Sequence, residues 1–482
     1  MRVLYVTAEL SPLVSTGGLA EVAYALPKTL NNIGIDIRVA LPKYKSINIK
    51  ETITQNKPCL FDVSKNSYQA KLLETNIPGT TIPLYLIEHE ELFGRDYVYG
   101  YGDWEYEDNP RRFSLFCNAV LDAMEQIQWK PDIIHCNDWA TSAILPFLLI
   151  QLEHNPFWQN TNTLLTIHNL AFQGRYPGSR YTSTGLPSEF FNSNCFEHYG
   201  DMNLLKGGIL LADKINTVSP TYAIEIQTLE YGFGLDNILR FRSDDLSGIL
   251  NGVDYSIWSP KNDKYIETNY SKDTLANKEI CKSSLLKKVN LPEQNVPLIG
   301  IISRLYWQKG IDILIQSLPE LLQLDLQMII LGSGDPKYET QLKEISSLFP
   351  KKIRTVLGYN TELSHQIIAG SDFTLMPSRY EPCGLTQLYA FAYGTIPIVR
   401  KVGGLADSVT NITSDNIRNK CATGITFRAL TPKSIIRSVK NAIDLFQNKD
   451  ILSSIRINGM KQDFSWDKQA KLYQKLYDNL FQ

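Results

Sequence analysis

The first 42 residues carry a strand–loop–helix–strand pattern, and this constrains the fold more than any other feature of the chain. Residues 3–7 are a short apolar, β-rich run. Residues 11–18 form a loop containing Pro12 and the pair Gly17 and Gly18. Leu19, Val22, Ala23, Leu26, Leu30 and Ile33 then recur at helical spacing, and the run stops at Gly34. A second strand over 35–41 is closed by Pro42. This βαβ opening predicts a parallel sheet. Further strands are expected at 83–87, 132–136, 163–167 and 214–218.

The second half repeats the grammar. Strands are predicted at 297–302, 327–331, 353–357, 373–376 and 396–399, with an amphipathic helix over 310–324. A faint echo links the halves: Thr16-Gly-Gly-Leu-Ala20 and Val402-Gly-Gly-Leu-Ala406, each beside a strand end. The expected architecture is α/β, with two Rossmann-like, doubly wound domains. The polar stretch 259–271 is the expected linker, and 464–480 reads as a C-terminal helix.

Composition excludes several classes. A length of 482 residues with 43% hydrophobic and 20% charged residues describes a large globular protein. Lys plus Arg total 48 against 50 for Asp plus Glu, so the basic excess of a general nucleic-acid binder is missing. The seven cysteines are widely spaced, and no C-x-x-C occurs, which argues against a disulfide framework or a thiolate zinc site. The N-terminus lacks the pattern of a signal peptide. The longest nearly apolar stretch, 139–152, is interrupted by Pro146 and falls short of the roughly 20 residues a membrane span needs. A cytoplasmic enzyme is the expectation.

In open α/β sheets, ligands bind beyond the carboxyl ends of the strands, so the residues just after strands matter most. Arg304 and Lys309 follow the strand at 297–302 and precede a helix, an arrangement suited to an anion. The plainer reading is two solvated cations on a surface helix. Glu381 lies in the turn Pro377-Ser-Arg-Tyr-Glu-Pro-Cys-Gly384. It is suited to sugar hydroxyls or to charge building at an anomeric carbon, and otherwise to capping the next helix. Cys383 alone reads as a small buried residue. His168 ends a strand, where a histidine is more often packed than functional. Asp138 and Asn251 add polar groups at other strand ends. No histidines stand at metal-ligand spacing and no D-x-D occurs, so no metal is expected. No G-x-G-x-x-G follows the first strand, which excludes a dinucleotide-dependent dehydrogenase.

Taken together, these blocks resemble the bacterial glycogen synthases and plant starch synthases, the family 5 retaining glycosyltransferases. The matching segments run in order along nearly the whole chain. They are Thr16-Gly-Gly-Leu-Ala20, Asp108-Asn109 with Arg112-Phe113, Asp138-Trp139, Thr166 through Gly174, Val218 through Tyr222, Gly248 through Gly252, Ser303-Arg-Leu with Gln308-Lys-Gly310, Pro377 through Leu388, Gly403 through Asp407, and Asp463 through Trp466.

The resemblance implies the GT-B fold, two Rossmann-like domains facing across a deep cleft. It implies an N-terminal domain over 1–258 (acceptor side and donor-closing loop), a nucleotide-sugar domain over 259–463, and a helix at 464–482 returning to the first domain. It implies glucose transfer from ADP-glucose to the non-reducing end of an α-1,4-glucan, glycogen or a malto-oligosaccharide, with retention and without cofactor or metal. Arg304 and Lys309 would hold the diphosphate. Glu381 would meet the donor glucose near the backbone of Cys383, Gly384, Leu385 and Thr386. Asp138, His168 and Asn251 would line the sugar side, and Ser15, Gly17 and Gly18 would belong to the loop closing on the donor. On this reading Lys309 and Glu381 line a cleft, so their loss should affect turnover far more than stability.

Four positions depart from the family. Ser15 stands where a lysine is usual, Glu21 where an aspartate is usual, and Asn137 and Ala140 where histidines often flank Asp-Trp. Ser15 puts one diphosphate contact in doubt, and Arg175 is a candidate replacement cation. Two other readings compete: a UDP-sugar or sucrose-related transferase, and a glucan-binding protein that turns over poorly. The first often has a second glutamate eight positions after the first, where this chain has Tyr389. The intact Arg304, Lys309 and Glu381 argue against the second.

Overall fold

The computed structural model describes residues 1–49, 53–54, 59–63, 66–102 and 104–481. The chain divides into two units. The first comprises Met1–Val218, Ala223–Gly252 and Trp466–Gln482, and the second Ser219–Tyr222 and Val253–Ser465.

In the first unit the parallel strands are β1 (Arg2–Val6), β2 (Asp36–Pro42), β3 (Pro83–Glu88), β4 (Ile133–Asn137), β5 (Asn162–Ile167), β6 (Lys214–Thr217) and β7 (Leu246–Gly248). Their order across the sheet is β7-β6-β5-β4-β1-β2-β3. The register is in step, with Val3 beside Ile37 on one side and beside Ile133 on the other. Beyond β3 the strand Asn66–Asn76 adds antiparallel, which the sequence reading did not anticipate. Val3, Leu4, Tyr5 and Val6 are fully buried. That fits a parallel strand covered on both faces, where side chains pointing either way leave water. The helix Gly18–Asn32 follows β1 as expected. The C-terminal helix Trp466–Asp478 packs in this unit, where Tyr477 Oη lies 2.8 Å from His135 Nδ1 and Asn216 Nδ2 donates to Tyr473 Oη at 3.0 Å. His135 Nε2 lies 2.7 Å from Thr166 Oγ1, so both ring nitrogens are engaged and the ring works as a buried peg.

The second unit carries β8 (Leu298–Ile302), β9 (Gln327–Gly332), β10 (Ile353–Leu357), β11 (Phe373–Met376), β12 (Ile396–Arg400) and β13 (Ile425–Phe427), in the order β10-β9-β8-β11-β12-β13 and all parallel. Alternate residues of one strand enter different cores. Ile299 and Ile301 pack with Leu314, Leu318 and Phe373, whereas Leu298 packs with Leu285, Leu363 and Ile367. This is the period of two expected of a strand buried on both faces.

The expected linker, 259–271, is instead packed within the second unit. Asp263 is buried; its carboxylate lies 2.7 Å from His365 Nδ1 and accepts the Tyr393 hydroxyl at 2.5 Å. Tyr270 is buried as well and donates to the carbonyl of Tyr393. The polarity that suggested an exposed linker serves a buried hydrogen-bond network. The chain passes between units at Gly252–Val253 and at Ser465–Trp466, and the short segment Ser219–Tyr222 also belongs to the second unit. None of the six described cysteines forms a disulfide with another described residue; the side chain of Cys59 lies outside the described residues. Residues 139–152 fold as the 3₁₀ turn Trp139–Thr141 and the start of the helix Ile144–His154. Among the described residues no helix is long and apolar enough to cross a membrane.

Candidate active site

Each sheet has a switch point where the strand order reverses, at β1/β4 in the first unit and at β8/β11 in the second. The residues that follow these four strands form two polar clusters, one in each unit.

In the second unit, the turn after β8 runs through Arg304 to the 3₁₀ turn Trp307–Lys309, and Gly310 is left-handed at φ +70°. A Cβ at Gly310 would lie 2.0 Å from the carbonyl oxygen of Pro377, so glycine lets this turn press against the loop after β11. Lys309 Nζ donates to both carboxylate oxygens of Glu381 at 2.7 Å. Ser378 Oγ donates to Glu381 Oε2 at 2.8 Å. Glu381 is only 5% exposed. It is therefore an ion-paired carboxylate and not a helix cap; the next helix, Thr386–Ala392, has no side-chain cap. Its burial also corrects the expectation that Lys309 and Glu381 matter little to stability.

The loop is braced from several sides. Gly403 (φ +43°) and Gly404 press so closely that Cβ atoms there would lie 2.0 Å from Glu381 O and 2.1 Å from Cys383 O. Gly404 N–H donates to Glu381 O at 3.1 Å. Gln387 Nε2 donates to the carbonyls of Cys383 and Gly384. Arg379 makes two 2.6 Å bonds to Asp312 and lies over the Trp307 ring. Arg304 is exposed, and its charge counters the burial that pushes the Tyr380 phenol up to about 12. Arg304, Lys309, Glu381 and the Cys383–Thr386 backbone thus gather around one loop. Tyr389, one turn into the following helix, is buried with its ring stacked on Trp258 at a centroid distance of 4.0 Å.

In the first unit, Asp138 follows β4 in a backbone conformation rare for a non-glycine residue, φ +55°. Its Oδ1 accepts the His168 backbone N–H at 2.7 Å. Burial pushes its carboxyl up to about 7, opposed by hydrogen bonds from the His168 and Asn169 backbone and reinforced by the nearby Glu9. His168 Nε2 lies 2.9 Å from Asn137 Oδ1, and burial pulls the imidazole down to about 3, so it is neutral at neutral pH. Asn137 also accepts the Tyr5 hydroxyl and donates to the Val6 carbonyl. Where the family often has histidine, Asn137 is thus a buried brace for His168. Asn251 is buried, and its Oδ1 has no hydrogen-bond partner among the described residues.

Sequence reasoning missed Glu9. It follows β1 and is 3% exposed. Its Oε2 accepts the backbone N–H groups of Thr16 (2.6 Å) and Gly17 (3.2 Å). Its Oε1 accepts the hydroxyls of Thr16 (2.6 Å) and Tyr99 (3.0 Å). Burial raises the carboxyl despite these bonds. The signal was present, an acid immediately after the first strand. Its partners were illegible because Tyr99 lies on a loop whose course is fixed by a buried arginine: Arg112 donates to the carbonyls of Leu92 and Val98 and to Asn109, which in turn holds the Tyr99 carbonyl. Ser15, Thr16, Gly17 and Gly18 are exposed, and a Cβ at Gly17 would meet nothing within 4 Å. Arg175 is ion-paired with Asp201 at 2.9 Å, so its charge is already engaged.

The family described as glycosyl transferases group 1 matches residues 283–445. A sucrose-phosphate synthase from Thermosynechococcus elongatus shares the fold, with a TM-score of 0.60 at 16% identity and 99% of that chain covered. Fold, switch-point clusters and this match define a glycosyltransferase built of two Rossmann-like domains. The finer match is to the family described as starch synthase catalytic domain, over residues 2–241. Glycogen synthase 2 of Geobacter sulfurreducens is 42% identical over 99% of this chain and 98% of its own, and a glycogen synthase of Thermosipho africanus is also 42% identical over 99% of each. The catalytic domain of starch synthase IV from Arabidopsis thaliana, bound to ADP and acarbose, superposes with a TM-score of 0.90 at 32% identity over 99% of both chains. The chain belongs to the glycogen synthase and starch synthase family.

Proposed function

We propose that the protein is a cytoplasmic enzyme that transfers glucose from ADP-glucose to the non-reducing end of an α-1,4-glucan, glycogen or a malto-oligosaccharide, with retention at the anomeric carbon. The observation that carries this reading is the Lys309–Glu381 pair at a sheet switch point beside exposed Arg304, in a chain of this family. The ADP in the starch synthase IV structure supports an adenine nucleotide donor.

Breaking the donor's glycosidic bond gives the sugar oxocarbenium character and leaves a nucleoside diphosphate carrying extra negative charge. Arg304 and Lys309 take up that charge. An ammonium has three N–H donors, so Lys309 can keep Glu381 oriented and still bond a phosphate oxygen. Glu381, set by Lys309 and Ser378, meets the glucose where positive charge builds. The backbone of Cys383, Gly384, Leu385 and Thr386 approaches the donor closely. On the sugar side Asp138 accepts hydroxyls, neutral His168 adds a hydrogen bond without opposing the developing cation, and Asn251 offers its Oδ1, which has no partner among the described residues. Gly17 and Gly18 give the first-unit loop a small profile against the diphosphate. The acceptor hydroxyl attacks the face from which ADP departs, and its proton passes to the departing phosphate. The charge work is assigned to the cationic side chains Arg304 and Lys309.

The test is a donor screen with glycogen as acceptor. ADP-glucose is expected to exceed UDP-glucose in kcat/KM, with full activity in a chelator and an α-linked product. Preference for UDP-glucose overturns the donor assignment, and loss of turnover in chelator that magnesium restores overturns the metal-free mechanism.

A further inference from the structure

The Ser15–Gly18 loop presents an arrangement that its own packing does not require. Its residues are exposed, Gly17 is extended at φ −170°, and open space surrounds the site of a Gly17 Cβ. Ser15 Oγ makes one long bond, 3.4 Å, to the Gly17 carbonyl. The following helix, Gly18–Asn32, begins with no side-chain cap. Such a loop, left to itself, samples many conformations at low cost. One buried side chain restrains it, because Glu9 takes both backbone N–H groups on Oε2 and both hydroxyls on Oε1.

We propose that Glu9 is a positioning residue for the transfer reaction, its buried carboxylate holding the Thr16–Gly17 backbone in the shape that receives the donor diphosphate. This rests on the donor reading above. Glu9 touches no reacting atom; it acts through the loop. A glycine without steric need, next to the start of a helix that has no side-chain cap among the described residues, suits close approach of an anion. The approach is productive only if the loop is already in place, since ordering it on binding would consume part of the binding energy.

The division of labour between the two oxygens makes the test specific. Only Oε2 must accept, because its partners are backbone N–H groups. Oε1 meets two hydroxyls, which can turn to accept from an N–H. Glu9→Gln can therefore place its oxygen on the backbone pair and its amide on the hydroxyls. Glu9→Ala removes everything. Hydrogen exchange of the Thr16 and Gly17 amides reads the anchor directly, and steady-state kinetics reads its consequence. In Glu9→Ala, exchange at these two amides should rise by at least ~10-fold and donor kcat/KM should fall about 10- to 100-fold, the scale of one lost charge-assisted hydrogen bond. Acceptor KM should stay within about twofold, and Glu9→Gln should restore both readouts to within about threefold of the wild type. If Glu9→Ala does not fold, the exposed, isosteric Thr16→Val removes one anchor hydroxyl and should shift both readouts in the same direction.

Unchanged exchange at both amides overturns the proposal. So does a parallel fall in donor and acceptor kinetics that follows a lowered melting temperature, or a Glu9→Gln variant as impaired as Glu9→Ala. Because exchange is measured without substrate, it judges the anchor even if the wild-type enzyme rejects ADP-glucose, a result that would instead sink the donor reading.

Discussion

Replacing Lys309 by alanine should damage stability and turnover separately, and the two effects can be pulled apart. The Lys309 side chain is 18% exposed and that of Glu381 6%, with the charges in contact through two 2.7 Å bonds. Removing one member of a buried pair costs about 3–5 kcal/mol, because the survivor keeps its charge without compensation. Lys309 is partly open to water and Ser378 still bonds the carboxylate, so about 2–3 kcal/mol is the better expectation here. For a unit of this size each kcal/mol lowers Tm by about 2–4 °C, giving a fall of roughly 4–12 °C. Adding Glu381→Gln should recover part of that loss, since a neutral amide is cheaper to bury than a lone carboxylate. Calorimetry on the two single variants and the double variant should give a coupling of about 1–3 kcal/mol. Activity should behave differently: kcat/KM falls about 10²- to 10³-fold in each single variant and does not recover in the double. A Lys309→Ala protein that melts within about 1 °C of the wild type, a shift equivalent to less than about 1 kcal/mol, refutes the buried-pair argument. Recovery of activity alongside stability in the double variant shows the pair to be structural only.

Asp138→Asn tests the acid whose carboxyl is pushed up to about 7. The folded protein holds that proton more tightly than the unfolded chain, so the wild type loses stability as pH rises from about 4 toward 7. The variant lacks this loss, and its Tm relative to the wild type should improve between pH 5 and pH 8 by the equivalent of about 1–2 kcal/mol; a pH-independent difference refutes it. His135 and His168, both pulled down to about 3 by burial, give the opposite limb: stability should fall as pH drops from about 6.5 toward 3, where unfolded histidines take protons that the folded ones refuse. Ser15→Lys should raise donor kcat/KM about tenfold or more, because Ser15 is exposed and Arg175 is already paired with Asp201; unchanged or reduced kcat/KM rejects an uncompensated loss of charge. Gly404→Ala, with a Cβ 2.1 Å from the Cys383 carbonyl, should cost about 1–3 kcal/mol and raise donor KM by shifting the Glu381 loop, whereas Gly17→Ala should leave Tm unchanged and impair donor kinetics alone.

The two Gly-Gly-Leu-Ala segments show where sequence reading stops. Both begin helices, Gly18–Asn32 and Gly403–Ser408, as their place after strands implies. Yet Gly403 and Gly404 are glycines because the Glu381 loop presses on them, while Gly17 faces open space. The same four letters meet different surroundings, and only tertiary contacts separate the cases. The stretch 259–271 makes the same point, since polar residues look alike in sequence whether they face water or each other.

By itself the sequence determined the parallel α/β class, the strands β1, β4, β5, β8 and β11, and the polar residues after them, because apolar periodicity and strand-end chemistry are local properties of the chain. Ordered family blocks extended this to membership of the glycogen synthase and starch synthase family. Only the tertiary structure decided that Lys309 and Glu381 are a buried pair, that His168 is braced by Asn137, and that Glu9 holds Thr16 and Gly17. It also decided that Arg175 is engaged with Asp201. Each of these depends on burial and on partners distant in sequence, and a side chain's charge state and role follow from those surroundings, which no local pattern encodes.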